Sequence, residues 1–166
     1  MSDTIILDVT LDKLKIKTFV KLIPTGSIHS FPYYAIIDTG SSDTAMSEQL
    51  FNELGYKEQK KIPTTITGVN GKSKGFSTLI DDFILGGVNL GKTRITISKF
   101  EPEFENIVIL GMNVLVWFNM LVSYGKGEIT LAERKIKNID KYTRFSRVDI
   151  FSNNILASEI LIDDEE

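Results

Sequence analysis

The stretch Tyr33-Tyr34-Ala35-Ile36-Ile37-Asp38-Thr39-Gly40-Ser41-Ser42 decides how the chain is interpreted. Its first five residues are apolar, as in a buried β-strand, and they end at a carboxylate that a glycine and two small polar residues follow. Glycine permits a tight turn with unusual backbone dihedral angles. The pattern predicts a rigid turn that presents the Asp38 carboxylate at the end of a strand.

The tripeptide Asp-Thr-Gly occurs once in the 166 residues. Two carboxylates that face each other and share one proton can activate a water molecule for attack on a peptide bond. One copy of the chain supplies half of such a pair, so a catalytic Asp38 implies a homodimer. The alternative is an ordinary strand-to-turn junction, where Asp, Gly and Ser are common.

A second motif, Ile107-Val108-Ile109-Leu110-Gly111, precedes Met112-Asn113-Val114-Leu115. This pattern predicts an apolar strand that ends at a glycine, followed by a short helical segment. Together the two motifs resemble the retropepsin-like aspartic protease family, which includes the retroviral proteases and their cellular and bacterial relatives. The resemblance covers residues 15–133, and we expect a single-domain, non-viral or bacterial-type member.

The resemblance implies an all-β fold, a small closed β-barrel of the acid protease type with one or two short helices. It implies that Asp38 is the catalytic acid, that Thr39 hydrogen-bonds to the partner's loop and that Gly40 bonds to the substrate backbone. The next three residues are expected to bind substrate, and the second motif is expected to support the site from beneath, its glycine letting two backbones approach closely. The expected substrate-binding residues are Ser41, Ser42 and Asp43, and the expected supporting residues are Ile109, Leu110 and Gly111.

Two positions depart from the viral pattern, which often has an Asp two residues after the motif glycine and an Arg after the second glycine. Here these positions are Ser42 and Met112. Losing both partners avoids an unpaired buried charge, so we expect the loop to be braced differently. We also expect the Ser41 hydroxyl to donate a hydrogen bond to an ionised Asp38.

Residues 62–80 predict a β-hairpin with Gly68-Val69-Asn70-Gly71 at its turn, because Asn-Gly is a strong hairpin signal. The resemblance implies that this hairpin is the flap that covers a bound peptide. Gly68, Val69, Asn70 and Gly71 are then substrate-binding residues. The alternative is an ordinary surface hairpin.

Short runs of β-branched and aromatic residues elsewhere favour a sandwich or closed barrel over alternating strands and helices. One helix is predicted over residues 48–54, with Ser47 as its cap, Leu50, Phe51 and Leu54 as its apolar face and Gly55 at its end. The predicted strands are Thr4 to Val9, Ile16 to Ile23, Phe83 to Leu85, Thr93 to Phe100, Leu121 to Tyr124 and Glu128 to Leu131.

We expect a protease domain over residues 1–133 and a C-terminal extension with an acidic tail over residues 134–166. The extension contains the apolar clusters 148–151 and 155–162. Three roles for it remain open: added dimer interface, a cover over the substrate groove, or a cleavable segment.

The amino-acid composition limits the kinds of site and partner that the chain can have. Cysteine is absent, which excludes disulfides and thiolate sites, and the single histidine, His29, lacks neighbours that suit a zinc site. The formal net charge of −3 offers no general attraction to nucleic acid or membranes. Without a signal-like or membrane-spanning segment, a cytoplasmic location is the expectation.

The function expected from these observations is that of an aspartic endopeptidase that acts as a homodimer on peptide or protein substrates and uses no metal or organic cofactor. A non-catalytic dimerisation or peptide-binding module of the same fold is the alternative. A structural protein of a mobile element is a third hypothesis, by analogy alone.

Overall fold

The structure is a computed structural model that describes residues 4–8, 10–12, 15–68, 71–133, 143–145 and 160–162. Its backbone is mostly β-strand in these ranges, which confirms the all-β class. The strands, in chain order, are β1 (Thr4–Asp8), β2 (Thr10–Asp12), β3 (Lys15–Leu22), β4 (Phe31–Ile37), β5 (Ala45–Ser47), β6 (Ile62–Gly68), β7 (Gly71–Ile80), β8 (Phe83–Leu85), β9 (Val88–Asn89), β10 (Thr93–Ser98), β11 (Ile107–Leu110), β12 (Phe118–Ser123), β13 (Glu128–Glu133), β14 (Thr143–Phe145) and β15 (Ile160–Ile162).

Short helices connect some of these strands. None in the described ranges is long and apolar enough to cross a membrane. They are the α-helices α1 (Glu48–Glu53) and α2 (Met112–Leu115) and the 3-10 turns Tyr56–Glu58 and Pro102–Phe104.

Helix α1 confirms the helix that the sequence predicts. The Ser47 hydroxyl accepts a hydrogen bond from the Leu50 N–H at 3.0 Å, which satisfies one of the free donors of the first turn. Gly55 follows the helix with a φ of 78°, a left-handed conformation that favours glycine. The predicted apolar face is buried in the core.

The largest sheet has the strand order β6-β7-β10-β5-β11-β4-β3-β8-β9, and β2 also pairs with β3. Most neighbours are antiparallel, but β11 runs parallel to β4 and β10 runs parallel to β5. Strand β11 therefore lies between β4 and β5, the two strands that flank the Asp38 turn. The topology brings the two sequence motifs together.

The predicted closed barrel is not confirmed. The order of the described strands has two ends, β6 and β9, and closure would require these ends to pair. Each end strand belongs to a hairpin, β6 with β7 and β9 with β8. On its other side β7 pairs with β10, and β8 pairs with β3. The outer edges of β6 and β9 therefore have no neighbour among the described strands of this sheet.

Strands β1, β13 and β12 form a second sheet in that order, and β14 pairs with β15. The pairing of β1 with β13 joins the beginning of the described chain to residues 128–133. The division at residue 133 stays a prediction. Residues 134–142, 146–159 and 163–166, which include the acidic tail, lie outside the described part of the chain.

One hydrophobic core joins both sheets and α1. Leu7 of β1 and Ile129 of β13 belong to the same cluster of buried side chains as Phe51, Phe83 and Ile97. This cluster fixes the strands from which the Asp38 turn emerges.

The Tyr56 side chain fastens the end of α1 to the chain after β3. Its hydroxyl donates a hydrogen bond to the Ile23 carbonyl at 2.7 Å, and its ring packs edge-on against Phe51 at 5.9 Å. Burial raises the pKa of Tyr56 to about 12. The phenol therefore stays protonated, and so remains a donor, in moderately alkaline solution as well as at neutral pH.

Candidate active site

Asp38 directly follows β4, whose last residues pair with β11. The register places Ile36 opposite Ile109 and Ile37 opposite Leu110. The pairing continues into the turn, because the Asp38 N–H donates to the Leu110 carbonyl at 3.0 Å. The second motif thus holds the backbone of Asp38 at the end of the strand.

The turn itself orients the Asp38 carboxylate. The Gly40 N–H donates to Asp38 Oδ1 at 2.9 Å, and the Ser41 N–H donates to the Asp38 carbonyl at 3.2 Å. Asp38, Thr39 and Gly40 are all exposed. The carboxylate is therefore held by a local hydrogen bond and remains accessible to solvent.

Residues at the start of α2 hold the rest of the turn. The Met112 N–H donates to the Ser41 carbonyl at 2.8 Å, and the Asn113 N–H donates to the Ser42 carbonyl at 3.0 Å. Asn113 adds its side chain, whose Oδ1 accepts the Thr44 N–H at 2.7 Å. Backbone and side-chain bonds from one short segment thus fix three successive parts of the turn.

Gly111 lets the two backbones come this close. Its N–H donates to Thr44 Oγ1 at 3.1 Å. A Cβ atom at this position would overlap the Asp43 carbonyl group and lie 2.9 Å from the Thr44 nitrogen. Both obstacles are backbone atoms, which cannot rotate away as a flexible side chain can.

An ion pair that the sequence does not predict braces the turn. Arg94 of β10 donates from Nη2 to Asp43 Oδ1, and its backbone carbonyl accepts the Asn113 Nδ2 donor at 3.0 Å. Arg94 is buried, whereas the Asp43 side chain is 32% exposed. The turn is therefore braced differently from the viral pattern, as expected. Its arginine partner lies on β10, whereas in the viral pattern the arginine stands at the position of Met112, on α2.

The expected hydrogen bond from Ser41 to Asp38 is not formed. The Ser41 hydroxyl donates to the Asp43 carbonyl at 2.8 Å. A hydroxyl has one proton to donate, so this bond competes with any bond to Asp38. Ser41 stabilises the turn from within, and the carboxylate takes its bond from the Gly40 N–H instead.

A cavity of about 620 Å³ opens beside Asp38. Lys15 and Glu101 also line it, and the Lys15 ammonium lies 4.3 Å from the centre of the Phe104 ring. The apolar part of its wall consists of Ile16, Ile36, Ile37, Phe100, Phe104 and Ile109.

A second cavity, of about 420 Å³, has Phe100 in its wall in common with the first. It is bounded by the turn and by the predicted hairpin, which forms as β6 and β7 with Gly68 paired to Gly71. Ser41, Ser42 and Asp43 line this cavity, and Gly68 and Gly71 line neither cavity. Val69 and Asn70 lie outside the described residues. The rest of the wall consists of Gly40, residues 64–67, Ala45, Thr96, Ser98 and Phe100.

No group of three or more histidine, aspartate or glutamate side chains in the described ranges is positioned to hold a metal ion. Asp81 and Asp82 lie between β7 and β8. The Asp82 carboxylate accepts a hydrogen bond from Asn89 at 2.7 Å.

Residues 25–116 match the sequence model of a family described as "gag-polyprotein putative aspartyl protease". The match contains both the Asp38 turn and the Gly111 segment and covers more than half of the chain. The chain belongs to this aspartyl protease family. The retropepsin-like resemblance that the two motifs carry is thereby confirmed.

The fold is similar to that of a solved structure. A retropepsin-like aspartic protease from Rickettsia conorii superposes with a TM-score of 0.55 at 18% identity, over 78% of this chain and 90% of that one. EIAV protease, in complex with the inhibitor HBY-793, matches with a TM-score of 0.47 at 25% identity, over 61% of this chain and 86% of that one. No curated protein sequence matches the chain.

The ion pair leads to a prediction for this family member. Replacing Asp43 by Asn leaves the Arg94 charge buried without an anion, and we expect it to lower the free energy of unfolding by about 2 to 4 kcal/mol. Replacing Arg94 by Met costs less, because the remaining carboxylate reaches solvent. Urea denaturation at fixed protein concentration measures both changes.

The double variant is the control for this pair. Removing both charges leaves no unpaired ion, so Asp43→Asn with Arg94→Met should recover most of the stability that Asp43→Asn loses. Strictly additive effects of the two substitutions would show that the pair does not brace the turn.

The close approach at Gly111 leads to a second prediction. Gly111→Ala forces the turn away from α2, and we expect a loss of about 1 to 3 kcal/mol in the free energy of unfolding. Gly125→Ala is the matched control, because a Cβ atom there has nothing within 4 Å. It should change stability by less than about 0.5 kcal/mol. Equal effects of the two substitutions in thermal denaturation would contradict the close-approach role.

Proposed function

We propose that the protein is an aspartic endopeptidase that acts as a homodimer, with one Asp38 from each chain at a shared site. The observation that carries this proposal is an exposed carboxylate, held in orientation by the Gly40 N–H, beside a cavity that can receive a peptide side chain. The family of the chain supports the same chemistry.

The homodimer follows from the number of carboxylates. Hydrolysis by this chemistry requires two acids in contact, and one Asp-Thr-Gly per chain supplies one of them. The exposure of Asp38, Thr39 and Gly40 leaves the face of the turn available to a second copy. In a two-fold dimer the same residues meet their symmetry mates, which brings the two carboxylates together.

The reaction begins with one proton shared by the two Asp38 side chains, since two adjacent carboxylates do not both ionise easily. The ionised member removes a proton from a water molecule as the oxygen of that water attacks the peptide carbonyl carbon. The protonated member donates its proton to the carbonyl oxygen. When the resulting tetrahedral intermediate collapses, the carbon–nitrogen bond breaks and the nitrogen takes a proton from the pair. The pH dependence then belongs to the pair and not to one residue.

The other residues of the site act by position in this proposal. Thr39 hydrogen-bonds across the dimer, and Gly40 bonds to the substrate backbone. Ile109, Leu110 and Gly111 keep the turn in place through the strand pairing and close approach described above. No metal or organic cofactor takes part.

Substrate binding is proposed for the two cavities and the hairpin. An extended peptide adds to exposed backbone like an extra strand, and its side chains alternate between pockets. Ser41, Ser42 and Asp43 line one such pocket together with residues of β6. The hairpin tip, Gly68, Val69, Asn70 and Gly71, is proposed to cover the bound peptide.

The proposed function predicts peptide cleavage that depends on Asp38. The purified protein should cleave members of a mixed peptide library between acidic and neutral pH, and a statine-type transition-state analogue should block it. Asp38→Asn should lower kcat/KM by roughly 10²- to 10⁴-fold or more, because it removes the acid–base group. Mass spectrometry of the products measures the cleavage.

Asp81→Asn is the matched control, since it removes an exposed aspartate from a turn outside both cavities. It should leave cleavage unchanged. No cleavage under any condition by a protein that sedimentation shows to be dimeric would contradict the proposal and favour a non-catalytic module.

A further inference from the structure

The two cavities that meet at Phe100 differ in chemistry. The cavity beside Asp38 has a mostly apolar wall. In the cavity beneath the hairpin, seven of the twelve lining residues carry a side-chain hydroxyl. Two neighbouring side chains of one extended peptide would therefore meet different surroundings, one apolar and one able to form hydrogen bonds.

Thr96 is a buried residue that lines the hydroxyl-lined cavity. It is in the middle of the large sheet, opposite Ser77 of β7 and Ala45 of β5, and it is 3% exposed. Ala45, which carries only a methyl group, lines the cavity with it. Within the described part of the chain, Thr96 Oγ1 is buried and has no hydrogen-bond partner. A buried hydroxyl without a partner costs free energy, which a ligand that bonds to it would recover.

The charges in the wall of this cavity limit the class of side chain that it can bind. Asp43 is the one charged residue among those that line this cavity, and its carboxylate already accepts a hydrogen bond from Arg94. A second buried charge would need a counterion of its own. A neutral side chain has no such requirement. The surroundings of Thr96 therefore favour a neutral group that forms hydrogen bonds.

We propose that this cavity is a subsite for a neutral, hydrogen-bonding side chain of the peptide, that of asparagine or glutamine above all, and that Thr96 selects it. A side-chain amide carries both a donor and an acceptor, which match a hydroxyl that can do either. The adjoining apolar cavity takes an apolar side chain of the same peptide. This inference rests on the proposed function, because it assumes that a peptide lies across the Asp38 turn.

Paired peptides test the subsite. Starting from a cleaved library member, each residue around the cut is changed in turn to Asn, to its near-isostere Leu and to Lys. At one position the full chain should prefer Asn to Leu by about 3- to 10-fold in kcat/KM, the effect of one net hydrogen bond. Thr96→Val, which replaces the hydroxyl by a methyl group, should abolish this preference by lowering kcat/KM for the Asn peptide more than for the Leu peptide.

Thr93→Val is the matched control. Thr93 lies on the same strand and is 4% exposed, but it donates to the Gly91 carbonyl at 3.1 Å and lines neither cavity. It should keep the preference for Asn. A preference that survives Thr96→Val would overturn the inference, as would equal cleavage of the Asn and Leu peptides. Preference for Lys would assign the selectivity to Asp43 and would also overturn it.

Binding separates this inference from the proposed function. Calorimetry with Asp38→Asn measures the same Asn, Leu and Lys substitutions without catalysis, and if the wild type cleaves no library member the starting peptide is the library member that Asp38→Asn binds most tightly. Tighter binding of the Asn peptide that depends on Thr96, with no cleavage by the wild type, would retain the subsite and reject the protease. Cleavage without a Thr96-dependent preference would reject the subsite and retain the protease. Neither binding nor cleavage would reject both.

Discussion

The hydrogen bonds between the Asp38 turn and the segment from Leu110 to Asn113 are the interaction on which the rest of the site depends. A turn of small, exposed residues has little apolar surface of its own to bury, so it cannot fix a carboxylate by packing. Here β11 runs between the two strands that enter and leave the turn, and the first residues of α2 bond to its carbonyls. The hydrophobic core fixes the strands, and these bonds transfer that rigidity to Asp38.

The ion pair of Asp43 and Arg94 adds a side-chain brace to this backbone scaffold. A buried ion pair is weak evidence for stability by itself, because desolvation offsets much of the attraction. Its effect here is geometric, since Arg94 also bonds through its carbonyl to Asn113, which holds Thr44. Turn, β10 and α2 thereby form one connected polar network. Such a network favours one conformation of the turn, although within the described residues the buried Nε of Arg94 has no partner.

The sequence alone predicts the structural features that depend on short, local residue patterns. The apolar run before Asp38, the glycine after the second motif and the Ser47 cap of α1 each carry their own signal, and each lies where it is predicted. The open edges of the sheet carry no comparable signal, because whether β6 and β9 pair depends on the path of the whole chain. For that reason the sequence could not establish whether the barrel closes, and closure is not confirmed for the described strands.

Arg94 and Thr96 show why the rest of the site could not be predicted. Polar and apolar residues alternate along Arg94-Ile95-Thr96-Ile97-Ser98, which is typical of a strand with one solvated face. In the structure the turn and the hairpin cover that face, so Arg94 and Thr96 are 6% and 3% exposed. An arginine in such a strand suggests an acidic partner once the arginine is known to be buried. Asp43 is far from Arg94 along the chain, so the sequence does not identify it as that partner. For Ser41, its position in the sequence does not reveal which acceptor its hydroxyl bonds to, and in the structure that acceptor is the Asp43 carbonyl.

The central claim is that one active site requires Asp38 from two chains, and subunit mixing tests it most directly. Wild-type protein is equilibrated with an equal amount of Asp38→Asn, and peptide cleavage is measured before and after subunit exchange. A shared site predicts that activity falls to about half, because random exchange puts half of the wild-type chains into dimers with one carboxylate. Activity that stays unchanged after exchange has been demonstrated would contradict the claim and assign a complete site to the single chain.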